Sequence, residues 1–351
     1  MQITRPIIDE AVARGVLAKE QSDALWEYLV ERERETPTFR AAHILYYLGG
    51  MVAIGAMTLF MTLGWEQFGG SGLLLISVIY GAVALALTEY LLRQKHLAVP
   101  AGITAALAVV MIPLAVYGAQ HVLGFWPSDG SNLAYRDYHT RIDWRWAFME
   151  LATLAGAAIA LWRYRLPFLV LPIAVTLWYM SMDLVPFLFE GNTSEFFSHR
   201  GKLVSTWFGV AMVVVAFWVD VRSRQSKDFA FWLYIFGVLT FWGGLTSMDS
   251  SSELGKFIYF CINIVMIAIG TALSRRVFAV FGAIGIAMYL GHLSHSIFKD
   301  SMLFPVALTA IGLAVIGVGI YWQRHEAVIG ARVRSLLPDQ LRELVEHRAS
   351  Q

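Results

Sequence analysis

Two histidines three positions apart, His292 and His295 in GHLSHSIFKD (residues 291–300), close a long apolar stretch and are followed by a lysine and an aspartate. On a helix that spacing puts both rings on nearly one face, where they can share a metal ion or a protonation-sensitive network. Zinc takes three protein ligands and a water, or four ligands, so two histidines need further donors. His121 lies at similar depth, with Asp183, Glu190, His199, Asp249 and Glu253 as further donors on outer ends. A divalent metal on His292, His295 and His121 is therefore one expectation. Ordinary interfacial histidines making hydrogen bonds are the competing one. No other cofactor is expected.

A second set of polar residues falls within apolar stretches. Glu150 comes a turn or so into one of them, Asp183 interrupts the outer part of another, Asn263 is central in a third, and Glu89 lies near the end of a fourth. Ionisable groups at membrane depth usually face protein or water, which makes each a candidate for solute or proton chemistry. A structural hydrogen bond or salt bridge is the alternative for every one of them. Glu89 is one helical turn before Arg93, so it can reach the interface or form an i,i+4 pair.

The elements that position these residues follow from composition. Of the 351 residues, 57% are hydrophobic and 15% charged, against about 45–50% and about 25% in soluble domains. Runs of about twenty apolar residues match the hydrocarbon thickness of a bilayer, and an open chain in lipid must satisfy its backbone internally, so helices are predicted. Ten spans are expected, at 43–63, 71–92, 98–122, 145–162, 166–188, 203–220, 228–246, 255–274, 276–296 and 302–322. With both termini and the even-numbered connections in the cytosol, twenty of the 27 Lys and Arg residues fall inside. Only Arg136, Arg141, Arg145, Arg200, Lys202, Lys256 and Lys299 remain outside, as the bias of cytoplasmic loops toward Lys and Arg requires. The fold class expected is an all-α polytopic transmembrane bundle.

Residues 1–40 read as a cytosolic cap of two amphipathic helices broken at Gly15, the second carrying Leu25, Tyr28 and Leu29 on one side. Residues 41–323 form the membrane domain, and 324–351 a cytosolic amphipathic tail restarted after Pro338. Trp126, Tyr135, Tyr138, Trp144 and Trp146 suit an interfacial belt. Gly50, Gly55, Gly102, Gly282, Gly285 and Gly291 are expected to permit close helix approach. Pro113 and Pro172 are expected to kink their spans. The highly charged start excludes a secretory signal. The single cysteine, Cys261, excludes an intrachain disulfide or a cysteine-based cluster. A net charge of +1 gives no case for nucleic acid.

The segments HILYYLGGMVAIGAM (43–57), RYRLPFLVLPIAVTLWYMSMDL (163–184) and SRRVFAVFGAIGIAMYLGHLSHSIFKDSMLFP (274–305) resemble a group of bacterial integral membrane proteins of unknown function with an N-terminal cytosolic helical cap. The resemblance implies a bacterial cytoplasmic (inner) membrane location and a similar helical fold. It carries no activity or site residues.

Three functions compete. A small-solute or ion transporter is favoured by the number of spans, the buried polar residues and the kinked helices. A non-catalytic sensor, assembly factor or scaffold, taking a protein partner through the cytosolic ends, is favoured by the amphipathic termini. An outer-face metal-dependent enzyme ranks last, since no reaction-specific constellation is present. Membrane lipids are partners in all three.

Overall fold

In this computed structural model the described residues are 8, 12–19, 21–26, 41–126, 144–189, 199–223, 228–248, 252–273, 275–297, and 306, 309–310, 312–313, 317 and 324. They are helical almost throughout: α1 (Ala41–Arg93), α2 (Ala98–Val110), α3 (Ile112–Val122), α4 (Trp144–Tyr164), a 3-10 turn at Pro167–Leu169, α5 (Val170–Phe189), α6 (His199–Arg222), α7 (Phe231–Ser247), α8 (Glu253–Ala272) and α9 (Arg276–Ile297). Six helical stretches among the described residues are long and apolar enough to cross a bilayer: Phe68–Arg93, Ala98–Val122, Pro167–Leu184, Gly201–Arg222, Glu253–Ala272 and Arg276–Leu293. This is fewer than the ten expected. Helix α7 is apolar but short, α4 is interrupted by Arg145, Glu150 and Arg163, most side chains of 43–63 lie outside the described residues, and 302–322 lies almost wholly outside them. The chain is an all-α, multi-span membrane protein.

Two compact units group the helices. The first comprises Met1–Ser131, Leu151–Ile173 and Arg222–Ala230, the second Asn132–Glu150, Ala174–Val221 and Phe231–Gln351.

In the first unit, α1 is two arms rather than one rod. Gly69 has φ 58° and ψ −177°, a conformation essentially confined to glycine. Gly50 on the first arm packs against Ile103, and Thr88 on the second arm hydrogen-bonds Thr104 at 2.8 Å. Residues 50 and 88 of a continuous helix would be roughly 57 Å apart, yet both meet the same turn of α2. The chain therefore reverses at Gly69, and the expected spans 43–63 and 71–92 form a hairpin closed by one residue. At the hairpin's tip Gly118 lies against the Gly70 carbonyl and the Leu74 backbone, so a side chain at 118 would overlap the neighbouring helix. A core of Ala101, Ala105, Val109, Ala157, Leu166 and Leu169 joins α2, α4 and the 3-10 turn.

Pro113 has the predicted effect. The helix is interrupted at Met111, whose N–H is shared between the Leu107 and Ala108 carbonyls at 3.3 Å each. Pro172 does not kink its span. It occupies the third residue of α5, where backbone N–H groups have no intrahelical partner to lose. Gly15 (φ 72°) breaks the N-terminal cap as expected; Tyr28, Leu29 and the tail lie outside the described residues.

The second unit contains two further antiparallel pairs. In one, Gly237 of α7 meets Met212 and Val213 of α6, and Gly244 meets Thr206. In the other, α8 and α9 are joined by the short connection 273–275 and pack along their lengths, with Gly270 against Phe278 and Gly282 against the Asn263 carbonyl. Among the described residues Gly55 and Gly291 have nothing within 4 Å, so the close packing expected of them is not seen there. Buried and half-buried hydroxyls turn back onto their own helices: Ser77 donates to the Leu73 carbonyl, Thr88 to Ala84, Thr240 to Phe236 and Thr271 to Ile267. Such bonds satisfy polar groups that lipid cannot.

Candidate functional site

Helix α4 carries Glu150 six residues after Trp144, and α5 carries Asp183 six residues before Phe189. Both side chains are half-buried, both belong to the second unit, and the two carboxyls are close enough to interact. An ionised carboxylate only accepts, so a hydrogen bond between the two requires a proton on one member, the protonated acid donating. Two carboxyls this close on apolar helices form a group that can hold one proton or one cation. Of the four acidic or amide candidates read from the sequence, these two are brought together.

Asn263 is placed elsewhere. It is fully buried, its Nδ2 donates to the Tyr259 carbonyl at 2.8 Å, and its Oδ1 accepts from Trp242 Nε1 at 3.1 Å. Gly285 of α9 leaves room for it, since a Cβ there would overlap the amide. This is a satisfied polar bolt between α7, α8 and α9, with its capacity spent on the fold.

Glu89 sits in an ion-pair clamp in the first unit. Arg93 Nε is 2.6 Å from Oε2, and Arg163 Nη2 donates to Oε1 at 3.2 Å. The Arg93 pair is the i,i+4 contact that the spacing allowed. Arg163 arrives from 74 positions along the chain.

His121 and His292 belong to different units. His121, in the first unit, packs its ring at 6.0 Å from Tyr117 and lies against Gly70. His292, in the second, has Nε2 3.8 Å from Glu253 Oε1, and the same carboxylate oxygen takes Lys256 Nζ at 2.7 Å. The His295 side chain lies outside the described residues. Among the described residues no three His, Cys, Asp or Glu side chains are grouped to hold a metal.

One polar cluster was not anticipated from the sequence. Asp220, at the end of α6, takes a two-pronged bond from Arg275: Nη2 to Oδ1 at 2.7 Å and Nε to Oδ2 at 3.2 Å. The fully buried Tyr234 donates its hydroxyl to Oδ2 at 3.4 Å and lies under the guanidinium, 5.1 Å from ring centroid to Cζ. The signal available was modest: each is a charge at the end of an apolar run, and the charge distribution puts both runs' ends on one side.

No protein family model matches the chain, and neither a curated protein nor a solved structure is similar to it. Fold and sites together define a polytopic membrane protein of several long apolar helices.

Proposed function

We propose that this chain is a transporter of a small solute or ion, of ten spans with both termini cytosolic, in a bacterial cytoplasmic (inner) membrane. The Glu150–Asp183 pair is its ion-responsive group. The observation that supports this reading is the meeting of two acids from separate helices within apolar stretches, where an ionisable side chain is costly and is a candidate for function. A proton or a cation shared between α4 and α5 holds the two helices together, and its departure leaves two negative charges that separate them. Binding at the pair is thereby linked to a change in helix position. The proposal assigns no catalysis and no cofactor.

The test is flux into sealed proteoliposomes, with a broad panel of solutes and imposed proton or sodium gradients, for wild type, Glu150→Gln and Asp183→Asn. Gradient-dependent uptake in wild type that either substitution uncouples is expected. Absence of flux from folded, sealed preparations, or flux that both variants retain with the same gradient dependence, overturns the reading. The sensor, assembly-factor or scaffold reading rests on residues 1–40 and 324–351, most of which lie outside the described residues. It would gain from a null flux result combined with a partner crosslinked through those ends in native membranes and lost on their truncation.

A further inference from the structure

The first unit gathers basic and aromatic side chains where two connections meet. Arg93 and Lys95 flank the end of α1, and Arg163 and Arg165 flank the end of α4. Arg93 and Arg163 converge on opposite oxygens of Glu89, which brings the two connections side by side. Leu91, Leu92, Leu161 and Tyr164 pack on the same core immediately below. Two arginines thus hold one anion between them, Lys95 and Arg165 follow each of them two residues on, and all four basic side chains are exposed.

The geometry of the clamp leaves it able to bind more. Glu89 takes Nε of Arg93 and Nη2 of Arg163, and a guanidinium carries five donors in a planar fork. The two side chains remain 70% and 51% exposed while the carboxylate fixes their positions. Lys95 Nζ lies over the Tyr90 ring at 5.9 Å, and Arg163 Cζ over the Tyr164 ring at 5.2 Å. Tyrosines of this kind settle at headgroup level, with the ring toward the acyl chains and the hydroxyl toward water. Below Tyr90 the second arm of α1 presents Leu87, Val83 and Ile79 at successive turns, all exposed on the protein surface. A phosphate at the arginine fork and an acyl chain along that stripe are the two halves of one phospholipid.

We propose that Arg93, Lys95, Arg163 and Arg165, with Tyr90 and Tyr164, form a binding site for the headgroup of an anionic phospholipid. Both connections are placed on the cytosolic side by the charge distribution, and anionic lipids are enriched in that leaflet. This proposal is independent of transport at Glu150 and Asp183.

The test is the unfolding midpoint of the full-length protein in neutral detergent, followed by tryptophan fluorescence with added phosphatidylcholine, phosphatidylglycerol or inorganic phosphate. Phosphatidylglycerol is expected to raise the midpoint by several degrees beyond phosphatidylcholine. That increment is expected to fall in Lys95→Ala and in Arg165→Ala, to vanish in the double variant, and to persist in Arg276→Ala at another connection. The charge-retaining Lys95→Arg/Arg165→Lys variant restores it, which separates loss of the site from loss of fold. Equal increments from the two lipids, an increment that survives the double alanine variant, or an equal loss in Arg276→Ala overturns the proposal. An increment reproduced by inorganic phosphate alone assigns the residues to a free anion and overturns the lipid reading.

Discussion

Asp220 and Glu89 are both acids held by arginine, and solvent decides how much each contributes. The Asp220 and Arg275 side chains are 9% and 12% exposed, the bond is two-pronged, and Tyr234 covers it. Removing one charge from such a pair leaves the other desolvated and uncompensated, at a cost of about 3–5 kcal/mol. Asp220→Asn is therefore expected to destabilise by that amount in denaturant unfolding. Asp220→Leu/Arg275→Met removes both charges and is expected to cost less than Asp220→Asn alone. A double variant worse than the single would show that the pair itself, rather than its burial, supplies the stability. Glu89 is 33% exposed and its arginines more so, so Glu89→Gln is expected to cost about 0–1 kcal/mol. Sequence disclosed these pairs unequally. Glu89 and Arg93 are one turn apart and their contact is written in the helical period. Arg163, 74 positions away, and Arg275, 55 positions from Asp220, reach their partners only once helices have been packed.

Helices in lipid are easy to locate from apolar length, whereas the way two of them turn and touch depends on single residues. The QFGGSG segment marks a turn between two apolar runs, but only the backbone shows that Gly69 alone makes the reversal, with φ 58°. Gly69→Ala meets no atom within 4 Å, so its penalty is conformational, about 1–3 kcal/mol. Gly55→Ala, inside a helix and equally uncrowded, is expected to stabilise by about 0.4–1 kcal/mol. Equal effects in thermal unfolding would mean that the hairpin does not depend on the left-handed residue. In the α8–α9 hairpin the constraint is space. Asn263→Ala forfeits bonds to Trp242 and Tyr259 and leaves a buried indole N–H, about 1–3 kcal/mol. Gly285→Ala drives a methyl into the Asn263 amide. Because Asn263→Ala vacates the volume that the new methyl needs, the double variant is expected to lose less than the sum of the two singles. Additive losses would refute the contact. A small-residue pattern in the sequence announces close packing in general. It does not separate Gly285, which touches the facing helix, from Gly291, which touches no described residue.

At the scale of the whole chain, the distribution of Lys and Arg and the packing of hairpins constrain topology in independent ways. The Glu89–Arg163 pair ties the connection at 94–97 to the one at 165–166, so these two ends of the first unit share a membrane face. The Asp220–Arg275 bond does the same for the ends of α6 and α8 in the second unit. Neither tie uses a count of charges, yet each joins two connections that the charge rule assigns to the cytosol, and an odd number of crossings between the tied positions would break either pair. Side-chain chemistry thus ties the two ends within each unit, and the cytosolic sense proposed from the basic residues is what labelling tests. In a Cys261→Ser background, cysteines at Gln94 and Ser223 are expected to react with a membrane-impermeant maleimide only after cells are permeabilised, and cysteines at Gly124 and Ser252 to react in intact cells. Labelling of Gln94 and Gly124 from the same side would contradict the helical path through α2 and α3. Opposite labelling of Gln94 and Ser223 would remove the ten-span arrangement, because two connections that the charge rule assigns to one side would then face opposite sides.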